Sequence, residues 1–70
     1  MSISNKERDI KAILTYLESV GKEANVDDIV KNSGAEKSKV YTILSELEHR
    51  GVIRRTKTTM WGTINGVKLI

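Results

Sequence analysis

Three amphipathic helices followed by a short antiparallel β-segment, an α+β architecture, is the fold this sequence predicts. Three observations predict it: apolar stripes at helical spacing in two places, a turn-rich gap of only a few residues before the second stripe, and a change to β-branched composition after Gly51.

The first stripe consists of Ile10, Ile13, Leu14 and Leu17, one face of a helix expected over residues 5–20. Ser4 or Asn5 is available as its N-cap, Glu7 and Lys11 stand four apart in the favourable acid-first order, and Gly21 can end it in a left-handed conformation. A short second helix is expected over 26–33. Asn25 offers a cap, Asp27 and Asp28 suit the positive end of the helix dipole, and Ile29-Val30 is its apolar pair. First-turn placement accounts for both acids. Asn32-Ser33-Gly34 is turn chemistry, and the next stripe begins so soon after it that the second and third helices must meet at a sharp angle, as in a helix-turn-helix.

The second stripe, Val40, Ile43, Leu44 and Leu47, defines a third helix over residues 37–50. Lys37, Ser38, Lys39, Tyr41, Thr42 and Ser45 fall off it and are expected to face outward. Glu46 and Arg50 form an i, i+4 pair near the end, and Gly51 stops the helix. Residues 52–70 read as strands, and two hairpins are open. One pairs Ile53–Lys57 with Met60–Ile64 around Thr58-Thr59; the other turns at Asn65-Gly66.

Seventy residues are enough for one domain, since a chain of this size buries only about 60% of its unfolded surface. No cysteine is present, so no disulfide or thiolate zinc site is expected. A single histidine, His49, cannot build a metal site without such ligands and is expected to be solvated. No apolar run approaches the length of a membrane helix and the start of the chain lacks a secretory pattern, so a cytoplasmic, intracellular location is expected. No phosphate loop, nucleophile-base pair or glycine fingerprint is present, so no catalytic residue and no cofactor are expected.

Charge points to the partner. Residues 1–35 carry five cations against six acids, net −1, whereas residues 36–70 carry seven against three, net +4. A basic half is the footprint of a polyanion-binding surface. Lys37, Ser38, Lys39, Tyr41, Thr42 and Ser45 supply donors at the start of the third helix, where a helix in the major groove meets phosphates and base edges. Tyr41 and Thr42 are the main base-contacting candidates. Arg54, Arg55 and Lys57 add three cations on the following strand, and simple alternation puts Arg55 and Lys57 on one side and Arg54 on the other. Cations on an edge strand also discourage sheet aggregation. If about five cations per protomer meet phosphates, log affinity falls with log salt at a slope near −4.5 per protomer. Trp61, the only tryptophan, is expected to close the core beneath the strands, and Tyr16 to pack or to make an oligomer contact.

The run from Gly34 to Ile53, with its polar and basic helix start, the Val40, Ile43, Leu44, Leu47 stripe, a charged end and Gly51-Val52-Ile53, resembles the recognition-helix signature of winged-helix regulators of the MarR and TrmB type. The resemblance spans roughly residues 7–64. It implies a winged helix-turn-helix, three helices followed by a two- or three-stranded antiparallel β-wing, that binds double-stranded DNA as a small archaeal, bacterial or viral transcriptional regulator, with a homodimer as a possible assembly. A looser resemblance links Val40–Trp61 to the Zα domains, which bind left-handed duplexes, with Trp61 at their wing tryptophan. Their helix-3 Asn and Tyr fall here at Tyr41 and Ser45, and their wing prolines have no counterpart. Left-handed nucleic acid and a protein-interaction role stand as the alternatives.

Overall fold

A computed structural model describes residues 5–70. The order of elements is α1 (Asn5–Val20), β1 (Ala24–Asn25), α2 (Val26–Ser33), α3 (Lys37–His49), β2 (Ile53–Thr58) and β3 (Ile64–Leu69). The strands form one antiparallel sheet in the order β1-β3-β2. The helical stripes do what their spacing dictates: Ile13 and Leu17 of α1 and Val40, Ile43, Leu44 and Leu47 of α3 are buried. They pack with Val26 and Ile29 of α2 and with Ile53, Ile64 and Val67 of the sheet. Ala35 in the α2–α3 turn is also buried, so the turn is pinned to the core.

Glycines end the helices. Gly34 terminates α2 with φ +74 and its N–H donates to the Val30 carbonyl. After α3 the chain makes a paired closure. Gly51 N–H donates to Glu48 O and Val52 N–H to Leu47 O, with Gly51 at φ +77. This is the Schellman arrangement, and it aims Val52 back at the core before β2 begins.

Helix starts depart from the expected capping. Asn25 occupies the position before α2, but its side chain makes no capping hydrogen bond. Its backbone is committed to β1, where it lies opposite Gly66. The Asn5 side chain accepts from Arg8 Nη2 instead of capping α1, and Ser4 lies outside the described residues.

Neither expected hairpin forms. β2 pairs with β3 from Ile53↔Leu69 to Thr58↔Ile64, and the chain reverses through Thr59–Thr63. Asn65-Gly66 is interior to β3. Gly66 is needed there for close approach: a Cβ on it would stand 3.0 Å from Thr56 Oγ1 and 3.4 Å from Lys57 Cβ. The third strand also comes from an unexpected place, the two residues before α2 rather than the tail.

Candidate nucleic-acid interface

The outer face of α3 is built by the same period that builds its buried face. Ser38, Thr42 and Ser45, at i, i+4 and i+7, form an exposed row with exposed Lys39 beside it. Thr42 Oγ1 donates to the Ser38 carbonyl at 3.1 Å, which engages its proton and leaves the oxygen able to accept. Lys39 has no ion-pair or hydrogen-bond partner among the described residues. Small hydroxyl side chains let another molecule approach the helix closely, and one free cation stands at the edge of that approach. Lys37 is exposed too, but reaches back to Asp27 of α2 at 3.5 Å.

Tyr41 does not join the row. It is half-buried and packs against the core, because it flanks the Leu44 side of the stripe, where its ring finds apolar surface. A shallow groove of about 300 Å³ runs along the row, lined by Lys6 and Asp9 of α1 and Ser38, Lys39, Thr42 and Ile43 of α3. Lys6, absent from the sequence-derived set, also pairs with Glu46 at 3.2 Å. Its place beside α3 comes from helix packing, to which no local motif points.

The wing cations separate differently from simple alternation. Arg55 lies opposite Val67 and Lys57 opposite Gly66, so the bulge at Thr56 turns these two arginine and lysine side chains to opposite faces. Arg55 faces the helices. Its Nη2 donates to Glu48 Oε1 of α3 at 2.9 Å and its Nη1 to the Gly62 carbonyl in the wing tip at 3.2 Å. Lys57 shares the outer sheet face with Arg54 and pairs with Glu23 at 3.1 Å. Arg54 faces Lys68 directly across the sheet, and neither has a partner among the described residues.

The Glu23 carboxyl is held below its ordinary range by the Thr56 hydroxyl and then by Lys57, against the opposing effect of burial. Thr56 Oγ1 is shielded from solvent yet makes no well-aligned hydrogen bond, so the 3.1 Å ion pair is the firmer of the two contacts.

Trp61 is not in the core. It is 89% exposed and Met60 97%. The aliphatic side chains of Ile53, Ile64 and Val67 already fill the space under the sheet, and residues 59–63 lie beyond the last strand pair. Tyr16, by contrast, packs against the core. His49 is exposed, and no cluster of metal-ligating side chains occurs among the described residues. No helix among them is long and apolar enough to cross a membrane.

A turn pinned by buried Ala35 joins α2 to α3, and one side of α3 stays polar and open beside a braced hairpin, the layout of a winged helix-turn-helix. Such a domain falls in the winged helix-turn-helix class of DNA-binding transcription regulators. The family model described as sugar-specific transcriptional regulator TrmB matches residues 6–65, and the chain belongs to that family. It is a family of regulators rather than of enzymes. No curated protein and no solved structure gives a match.

Proposed function

We propose that this domain binds double-stranded DNA by laying α3 in the major groove, with Ser38, Thr42 and Ser45 against base edges or thymine methyls and Lys39 and Lys37 on flanking phosphates. The observation that carries the reading is the exposed Ser38–Thr42–Ser45 row with unpaired Lys39 at its edge. Tyr41 supports the helix from beneath instead of reading bases. Arg55 contributes by holding the wing against α3, and Arg54 and Lys57 lie on the sheet face turned away from Arg55, where they add long-range attraction more than contact. Two copies on a two-fold site is the assembly that such recognition favours, and the setting is cytoplasmic.

Selection of duplexes from a random pool at a stated salt concentration tests the reading. Enrichment of a defined sequence is expected for wild type and is lost for Thr42→Ala with Ser45→Ala; a pool that never enriches overturns sequence-selective readout. The exposed Trp61 is the observation that favours a Zα-like reading. Circular dichroism separates the two, because only a Zα-like domain stabilises the inverted spectrum of a left-handed duplex.

A further inference from the structure

We propose that the Met60–Trp61 tip of the β2–β3 hairpin is an apolar wedge that enters the minor groove of the bound duplex and opens a base step. The inference rests on α3 facing DNA and adds what the wing tip contacts and what it does to the duplex. Three features of the tip carry it.

The first is exposure. Met60 and Trp61 are adjacent and stand 97% and 89% exposed, a large apolar surface that nothing among the described residues covers.

The second is rigidity. Thr59 N–H donates to Thr63 O at 2.9 Å and Gly62 N–H to Thr59 O at 3.0 Å. Thr59 Oγ1 accepts from the Trp61 and Thr63 N–H groups at 3.3 and 3.2 Å and shares a 2.7 Å hydrogen bond with Thr63 Oγ1. The Arg55 guanidinium then ties the tip, through Gly62 O, to Glu48 at the end of α3. The tip is thus held at a set place relative to the helix that faces the duplex.

The third is chemistry. Residues 58–63, Thr-Thr-Met-Trp-Gly-Thr, carry no charge. Such a tip has no cation for a phosphate and no acid to be repelled by one. What an indole face and a flexible thioether can match are base planes and deoxyribose, reached by parting a base step from the groove. The steps that part most easily are pyrimidine–purine steps, so the wedge favours TA and CA and bends the duplex where it enters.

Trp61 is the only tryptophan, so its emission reports on the tip alone. The test uses the full chain at low salt with a mixed-sequence duplex of about 30 base pairs, containing a central TA step and carrying a fluorophore at each end. On saturation, Trp61 emission is expected to change and to lose access to acrylamide, while energy transfer between the duplex ends rises. Trp61→Ala, at a fully solvated site that does not disturb folding, is expected to bind roughly 5- to 150-fold more weakly and without the bend. Trp61→Phe retains most of both.

The wedge is overturned if Trp61 stays fully open to acrylamide in the saturated complex, or if Trp61→Ala binds and bends the duplex like wild type. Shielding of Trp61 that rises with protein concentration in the absence of DNA overturns it in favour of a second copy at the tip. Absence of any duplex binding by wild type overturns the DNA reading and the wedge together, whereas binding with an unshielded Trp61 overturns the wedge alone.

Discussion

Removing the Arg55–Glu48 contact tests how the wing is fixed to α3. The two side chains are 34% and 32% exposed and meet at 2.9 Å, so they are neither a fully solvated pair nor a buried one. Exposed pairs contribute about 0.2–1 kcal/mol in double-mutant cycles. One-third exposure and a short charge-assisted bond put this pair toward the upper end, about 0.5–1 kcal/mol of coupling. Arg55→Ala also removes the bond to Gly62 O, which brings its total cost to about 1–1.5 kcal/mol after allowance for solvent. Each kcal/mol lowers Tm by about 4–8 °C in a domain of this size. Urea and thermal unfolding of wild type, Arg55→Ala, Glu48→Ala and the double variant, followed by circular dichroism, measure the coupling directly. If the two single effects add to within about 0.2 kcal/mol, the pair does not brace the wing.

Three further outcomes follow from the fold and its ion pairs. Gly51→Ala places a Cβ in open space but at φ +77, so only backbone strain is incurred; a loss of about 1 kcal/mol is expected in thermal melts, and an unchanged Tm contradicts the closure described for α3. Gly66→Ala drives a methyl to 3.0 Å from Thr56 Oγ1, and an overpacking cost of about 1–3 kcal/mol is expected; it is to be seen as faster amide exchange in β2 and β3, and unaltered protection contradicts the register. Glu23 has a carboxyl pKa lowered by folding, so its stabilisation is present above the ordinary value of 4.5 and is lost as pH falls through the folded-state value. The stability gap between wild type and Glu23→Gln should therefore be constant near neutrality and close in acid, and a gap that persists unchanged into strong acid contradicts the Thr56 and Lys57 contacts.

The helices were legible because a 3.6-residue period acts locally: Ile13, Leu17, Val40, Ile43, Leu44 and Leu47 are buried as their spacing requires. The Gly51 stop was legible for the same reason, since its closure spans only Leu47–Val52. The sheet was less so. A bulge at Thr56, followed by a second register shift between Lys57 and Thr58, decides which face Lys57 occupies, and bulges answer to pairing partners distant in sequence. Asn65-Gly66 carries strong turn chemistry, yet Gly66 serves the approach of Thr56 instead. Burial of Trp61 was expected from size alone, but the position of residues 59–63 beyond the last strand pair decides its exposure. At the site, Ser38, Lys39, Thr42 and Ser45 lie on one open face as their spacing implies. The acids Glu48 and Glu23, which engage Arg55 and Lys57, come from other elements and could not be paired with them from sequence.

In the proposed complex the open face of α3, rather than overall positive charge, grips the duplex. Lys39 on α3 and Lys68 on the outer sheet face are both exposed and unpaired among the described residues, so Lys39→Glu and Lys68→Glu change net charge equally at two different places. Fluorescence anisotropy titrations of a selected duplex across a salt series compare them. With two phosphate contacts per protomer, from Lys37 and Lys39, the wild-type slope of log affinity against log salt is expected near −1.8 per protomer, less steep than the value near −4.5 for five. Lys39→Glu is expected to weaken binding by about tenfold or more and to reduce the slope by about 1, while Lys68→Glu leaves both nearly unchanged. Equal losses for the two variants, or an unchanged affinity for Lys39→Glu, would contradict the assignment of α3 as the DNA-binding surface.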